Sequence, residues 1–198
     1  MKFKTSFLAL LVSLSMILAA CTGEKSNSDS SSESSNNSSG LAQGVSDDEI
    51  LIGHLGPQTG PTAIYDLIRK GIESYFNYVN ENGGVNGRQL KLVAYDDQYQ
   101  PAKTVQLVKR LVEEDKVFAM TANVGTATSL AVKDYIDEKG IPVIFGGSGA
   151  KAFVDPPLPN QLGTDMLNYG VEAKVFLDFA VNKLGAKKIA LAYQNDDF

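Results

Sequence analysis

The chain has 198 residues, a formal net charge of −5 at pH 7 and an isoelectric point near 4.9. An acidic balance with no basic stripe argues against a nucleic-acid footprint. The one cysteine, Cys21, rules out an internal disulfide, and the one histidine, His54, leaves little from which to build a metal centre.

Lys2 and Lys4 precede an apolar run over residues 7–20 that is short for a transmembrane helix and ends in small residues. That is the pattern of a secretory signal peptide. Leu18-Ala19-Ala20-Cys21 resembles the lipobox of bacterial lipoproteins. The resemblance implies a lipoprotein signal over residues 1–21, with Cys21 acylated as the mature N-terminus. Residues 22–44 are mostly Ser, Asn and Gly. They hold too little apolar surface to offset their ordering entropy, so a disordered tether is expected. Its composition resembles that of Gram-positive lipoproteins, which implies a membrane-anchored protein on the extracytoplasmic face.

The folded part begins at about residue 45. A short apolar strand over residues 49–55 leads into Gly56-Pro57-Gln58-Thr59-Gly60-Pro61, where Pro61 suits a first helical turn. Ile64, Ile68, Ile72, Tyr75 or Phe76, and Val79 recur at intervals of three and four, which predicts the inner face of a helix. Asn82-Gly83-Gly84 stops that helix, and Asn86-Gly87 makes a tight turn. Leu90, Leu92 and Ala94 then alternate as one strand face. Pro101 opens a second helix with Val105, Val108 and Val112 inward. A strand over 117–122 follows, then a helix over 126–139 with Leu130, Ala131, Tyr135 and Ile136 inward. A strand over 141–145, a helix over 168–184 and a strand over 188–193 complete the pattern. Strands alternating with helices predict an α/β fold with right-handed crossovers, a mostly parallel sheet and helices on both faces.

Ligands of open α/β sheets sit beyond the carboxyl ends of the strands, so the loops there are the candidate site. They read GPQTGPTAIY, NVGTATS, GGSGAK and QNDDF. Three are rich in Gly, Thr and Ser and lead into helices, whose exposed amides and dipole favour an anionic group such as a carboxylate. GGSGAK lacks the GK[ST] ending of a phosphate loop, and no GxGxxG opens a helix. His54 reads as a structural residue at a strand end. Asp96-Asp97 and Asp196-Asp197 read as carboxylates capping the turns that follow, not as a metal pair. No nucleophile–base pair is available, so the chain does not read as an enzyme.

The segments IGHLGPQTGPTAIY, YFNYVNENGGVNGRQLKLVAYDDQYQPAKTV, GTATSLAVKDYIDEKGIPVIFGGSGA and KKIALAYQNDDF, in this order, resemble the branched-chain amino acid type of ABC-transporter substrate-binding protein. The resemblance spans residues 49–198. It implies a type I periplasmic-binding fold, with a first lobe over 45–164 and the crossover and start of a second, truncated lobe over 165–198. It implies capture of a small carboxylate (an amino acid, or an aromatic or other organic acid) between two lobes for delivery to an ABC permease, with no cofactor and no metal. Carried over by position, Tyr65 closes over the ligand, Val124-Gly125-Thr126 hold its carboxylate, and Gly147-Ser148-Gly149 hold an α-ammonium. Phe198 is a second-lobe aromatic facing the cleft. Gly149 stands where amino acid binders of this type commonly have Thr, with Ser148 beside it able to substitute. The same fold also serves as a sensory module that signals to a membrane partner, and that alternative stays open at this point. The lipobox reading predicts that Cys21→Ser yields protein that neither fractionates with membranes nor labels with fatty acid; continued labelling would refute it.

Overall fold

The computed structural model describes residues 40–164 and 166–195. Five parallel strands form one sheet: β1 (Glu49–Gly56), β2 (Gln89–Asp96), β3 (Ala119–Thr121), β4 (Val143–Gly146) and β5 (Gln161–Thr164), in the order β2-β1-β3-β4-β5. The longest pairing joins β1 to β2 from Glu49↔Gln89 to Gly56↔Asp96.

Three helices make the crossovers among the first four strands: α1 (Asp66–Glu81), α2 (Pro101–Lys109) and α3 (Thr126–Lys139). A 3-10 turn, Ala63–Tyr65, leads into α1, and a π turn, Arg110–Glu114, extends α2. The path from β1 to β2 and the paths from β2 through β3 to β4 run in opposite directions across the sheet. Right-handed crossovers therefore place α1 on one face and α2 with α3 on the other. The main core fills the second face: Leu55, Val108, Leu111, Val112, Val117, Met120, Val132, Ile136, Ile141 and Val143 are buried together. On the first face α1 has no fully buried residue, and Ile68, Ile72, Phe76 and Val79 are half-buried.

The glycine stop and turn after α1 form as expected. Gly83 and Gly84 take φ of 98° and 70°, and Asn86 and Gly87 take 53° and 82°. Val85 and Arg88 exchange backbone hydrogen bonds across the turn, which aims the chain into β2.

Several expectations are corrected. Ile64 is exposed because it falls in the tighter 3-10 turn, out of phase with α1; of the alternatives Tyr75 and Phe76, both left open by the sequence, Phe76 is the half-buried one. In α3 the buried residues are Thr126, Thr128, Val132 and Ile136, whereas Ala131 is exposed. The two threonines are buried because their hydroxyls find hydrogen-bond partners, which an apolar stripe does not reveal. Residues 161–164, for which the sequence pattern predicts no element, form β5. They carry no strand pattern and are held by backbone pairing to β4. No strand forms over 188–193. Ile189, Leu191 and Tyr193 are 52%, 82% and 70% exposed, and no described strand lies beside them to take up their backbone groups.

Asn168 caps α4 (Tyr169–Asp178), accepting hydrogen bonds from the amides of Gly170 and Val171, and a π turn, Phe179–Lys183, continues it. Its apolar side chains are not packed: Val171, Val175, Phe176 and Phe179 are all more than half exposed. With so little burial behind them, the amides of residues 171–194 in the 198-residue chain are expected to exchange at least about a hundredfold faster than those of β3 and β4. Equal protection in a hydrogen-exchange experiment would show that this segment is held by packing.

Candidate functional site

The strand order reverses at β1, which has β2 on one side and β3 on the other. Chains leaving the carboxyl ends of β1 and β3 diverge there and open a crevice at the sheet edge. Four loops border it, those after β1, β2, β3 and β4.

The first two loops are stitched together by Asp96. Its carboxylate accepts from the amides of Gln58 (2.8 Å), Thr59 (3.4 Å) and Gln98 (3.0 Å), and from Thr59 Oγ1 at 2.6 Å. Burial raises its pKa, but these donors together outweigh that and hold the group below the ordinary carboxylate range. Asp97, fully buried, accepts from the Tyr99 amide at 2.9 Å and Thr104 Oγ1 at 2.9 Å, closing the turn into α2. Both carboxylates are turn and loop caps, as the sequence suggested.

The loops after β3 and β4 are joined more tightly. Gly125 donates to the Gly147 carbonyl at 3.1 Å, and Gly147 donates to the Asn123 carbonyl at 2.9 Å. Above that bridge Thr126 Oγ1 and Ser148 Oγ lie 2.7 Å apart, 0% and 2% exposed. Asn123 ties the pair to β1, its Oδ1 accepting from the Leu55 amide at 3.0 Å. Gly125, at φ 102°, is the N-cap of α3. A Cβ there would overlap the Tyr99 ring and stand 2.7 Å from Thr128 Oγ1, so only glycine fits. The Thr128 hydroxyl donates back to the carbonyls of Val124 and Gly125, and no side chain caps the first turn. The amides of Thr126, Ala127 and Thr128 thus have no partner within the helix and point at the crevice edge with the positive end of the helix dipole.

Of the residues expected from the sequence, Val124, Gly125, Thr126, Gly147 and Ser148 are brought into one hydrogen-bonded unit. Gly149 follows that unit but is covered: a Cβ there would overlap the Leu167 carbonyl and stand 2.7 Å from the Tyr169 ring. Tyr65 ends the 3-10 turn after the β1 loop, 49% exposed, on the same sheet edge. Phe198 and Cys21 lie outside the described residues, as do residues 1–21, the tether up to residue 39 and Asp196-Asp197. Sequence reasoning missed Tyr99, Leu167 and Tyr169, and took in Asn123 only as part of the loop NVGTATS. Only Asn123 had a signal, as a polar residue directly following an apolar strand. The loop after β1 adds Thr62, whose buried Oγ1 has no hydrogen-bond partner.

The described residues form a parallel α/β lobe with an uncapped helix start at the reversal point of its sheet, where open α/β sheets bind ligands. The chain belongs to the Periplasmic binding protein family, matching it over residues 49–198. An "Amino acid binding protein" of Pseudomonas aeruginosa is 31% identical over 154 residues, covering 76% of this chain and 40% of that protein. Among solved structures, a substrate-binding periplasmic protein from Ralstonia solanacearum superimposes with a TM-score of 0.67 at 29% identity, over 75% of this chain and 42% of its own. A fatty acid ABC transporter substrate-binding protein from Thermomonospora curvata gives 0.66 at 25% identity, over 74% and 36%. The chain spans less than half the length of these relatives.

His54 is not part of the crevice chemistry. It is 1% exposed on β1, and its Nδ1 lies 3.1 Å from the Thr121 carbonyl. Burial holds the imidazole below its ordinary pKa, with a smaller push in the same direction from Arg69; the Thr121 carbonyl and the carboxylates of Asp66 and Glu73 pull the other way. The unfolded chain therefore takes up a proton that the folded chain resists. Stability should be constant above the ordinary histidine pKa and fall as the pH drops below about 6.5, with a limiting slope of about 1.4 kcal/mol per pH unit. Because His54 is the only histidine, His54→Asn should flatten urea-melt stability between pH 5 and 6.5; an unchanged slope would assign it elsewhere.

Proposed function

We propose that this chain carries the first lobe of an extracytoplasmic solute receptor for an ABC importer, tethered to the membrane through Cys21. In this reading a small carboxylate docks at the first turn of α3. The observation that carries it is the uncapped start of α3, set by the buried Thr126–Ser148 pair at the reversal point of the sheet. Amides of Thr126, Ala127 and Thr128 supply the donors, and the helix dipole favours the negative charge. Relatives named for an amino acid and for a fatty acid point to ligands that share a carboxylate. Tyr65, half-exposed at the same edge, would close over the bound molecule, with Phe198 facing it from the second lobe. The receptor does no chemistry: it binds, closes and hands the ligand to the permease.

The test is a set of thermal melts on the mature protein from its complete reading frame, with leucine, isoleucine, valine, benzoate and octanoate, each beside its amide. A carboxylate at a hundredfold its dissociation constant should add roughly 2.7 kcal/mol, and the amide should add nothing. Gly125→Ala, which forces the first turn away from Tyr99, should weaken that carboxylate at least about tenfold. An amide that stabilises as well as its acid would remove the carboxylate from the reading.

A further inference from the structure

The chain has two Asn-Gly steps, Asn82-Gly83 and Asn86-Gly87, both between α1 and β2. Such a step is open to attack by the chain on itself. The glycine nitrogen can reach the asparagine side-chain carbonyl, and no Cβ beside that nitrogen hinders it. The attack needs an unengaged glycine amide, an unengaged side chain and room for the backbone to turn. The fold treats the two steps differently.

At Asn82 both reacting groups are held. Its Nδ2 donates to the Tyr78 carbonyl at 2.7 Å, and the Gly83 amide donates to the Asn80 carbonyl at 3.1 Å. The Gly84 amide, donating to the Val79 carbonyl at 2.9 Å, fixes the chain just beyond. At Asn86, among the described residues, neither the side chain nor the Gly87 amide has a hydrogen-bond partner. Both residues are exposed, and a Cβ built on Gly87 would meet nothing within 4 Å. Two backbone bonds close this turn: the Val85 amide to the Arg88 carbonyl at 2.8 Å and the Arg88 amide to the Val85 carbonyl at 3.1 Å. An exposed tip held by so little opens locally while the core stays intact.

We propose that Asn86 is a site of spontaneous deamidation, which converts the turn into β2 to an isoaspartyl linkage. When the turn opens, the Gly87 nitrogen gives up its proton and attacks Cγ of Asn86. The N–Cγ bond forms as the Cγ–Nδ2 bond breaks, ammonia leaves with that proton, and a five-membered succinimide remains. One water then opens the ring. Cleavage at the backbone carbonyl leaves the chain running through the former side chain, as an isoaspartyl residue; cleavage at the other carbonyl leaves an ordinary aspartyl residue. One water is consumed, one ammonia is released, and nothing is oxidised or reduced.

The isoaspartyl form adds a carbon to the backbone between Val85 and Arg88. A two-residue turn with φ of 53° and 82° cannot keep both closing bonds with that insertion. The turn also delivers Arg88, whose Nε donates to the Ser46 carbonyl at 2.6 Å and ties β2 to the segment before β1. This is the amino edge of the sheet, opposite the crevice. Modification therefore loosens that edge and leaves the crevice loops untouched.

Peptide mapping by mass spectrometry tests this on the mature protein from its complete reading frame, with isoaspartyl-specific methyl transfer to identify the linkage. Folded protein and a urea-unfolded control are aged together in mildly alkaline buffer until the control is half converted at position 86. The product gains about 1 Da, from amide to acid. In the folded protein conversion is expected to be at least about tenfold faster at Asn86 than at Asn82, which must first release the bonds on its own reacting groups. In urea the two are expected to convert at similar rates. Conversion of Asn82 as fast as Asn86 in the folded protein, or a folded Asn86 that stays intact, overturns the proposal. A preference for Asn86 that persists unchanged in urea overturns it too, because the selection would then lie in local sequence and not in these hydrogen bonds.

Discussion

The hydrogen bond between Thr126 and Ser148 is the contact on which the rest of the site depends. It joins the start of a helix to the end of the next strand, at the point where both face the crevice. Two hydroxyls 2.7 Å apart with almost no exposure have no alternative partner in water, so breaking the contact would strand the Thr126 hydroxyl and leave Ser148 Oγ with the Ala150 amide alone. The backbone bridge between residues 123–125 and 147 lies beneath it, and Asn123 extends the connection to β1. The first turn of α3 is therefore positioned by three strands at once. A helix start set this firmly presents its amides in one orientation, which is what recognition of a small anion demands.

Backbone conformation at the same edge supports that view. Left-handed φ values occur at Gln98 and Tyr99 beyond β2, at Ala122 beyond β3 and at Phe145 within β4. None is glycine, and such conformations cost free energy that surrounding contacts must offset. Here the offsets are visible: the Asp96 and Asp97 carboxylates hold residues 98 and 99, and the bridge to residue 147 holds the chain after Ala122. The redirected chain carries Tyr99 onto Gly125. Contacts between neighbouring loops thus shape the crevice, while the regular core beneath α2 and α3 supplies rigidity.

The two faces of the sheet differ in how completely they are covered. Leu55, Val108, Leu111, Val117 and Met120 are essentially dry beneath α2 and α3, while α1 offers only half-buried residues to the other face. α4 is different again, with its valines and phenylalanines turned to solvent. Its fixed point is its beginning, where Asn168 caps the first turn and Tyr169 is bonded to Gly149. That single anchorage brings the crossing chain onto the candidate site and makes Gly149 obligatory.

Periodicity and turn chemistry made the alternation of strands and helices, the parallel sheet and the loops at its carboxyl edge legible in the sequence. These are local properties: apolar spacing, a proline at a helix start, a glycine in a left-handed turn. The five residues that form the hydrogen-bonded unit, Val124 to Thr126 with Gly147 and Ser148, came from resemblance to known binding proteins, and the structure brings them together. Tertiary structure alone decided what each can do. Whether Ser148 is free to hold a cation depends on Thr126, twenty-two residues away, and whether position 149 has room depends on Leu167 and Tyr169. It also decided that Thr126 and Thr128 are buried and that residues 161–164 pair with β4 while 188–193 pair with nothing described. Burial, hydrogen-bond partnership and strand neighbours are relations between distant residues, and no local pattern in the chain encodes them.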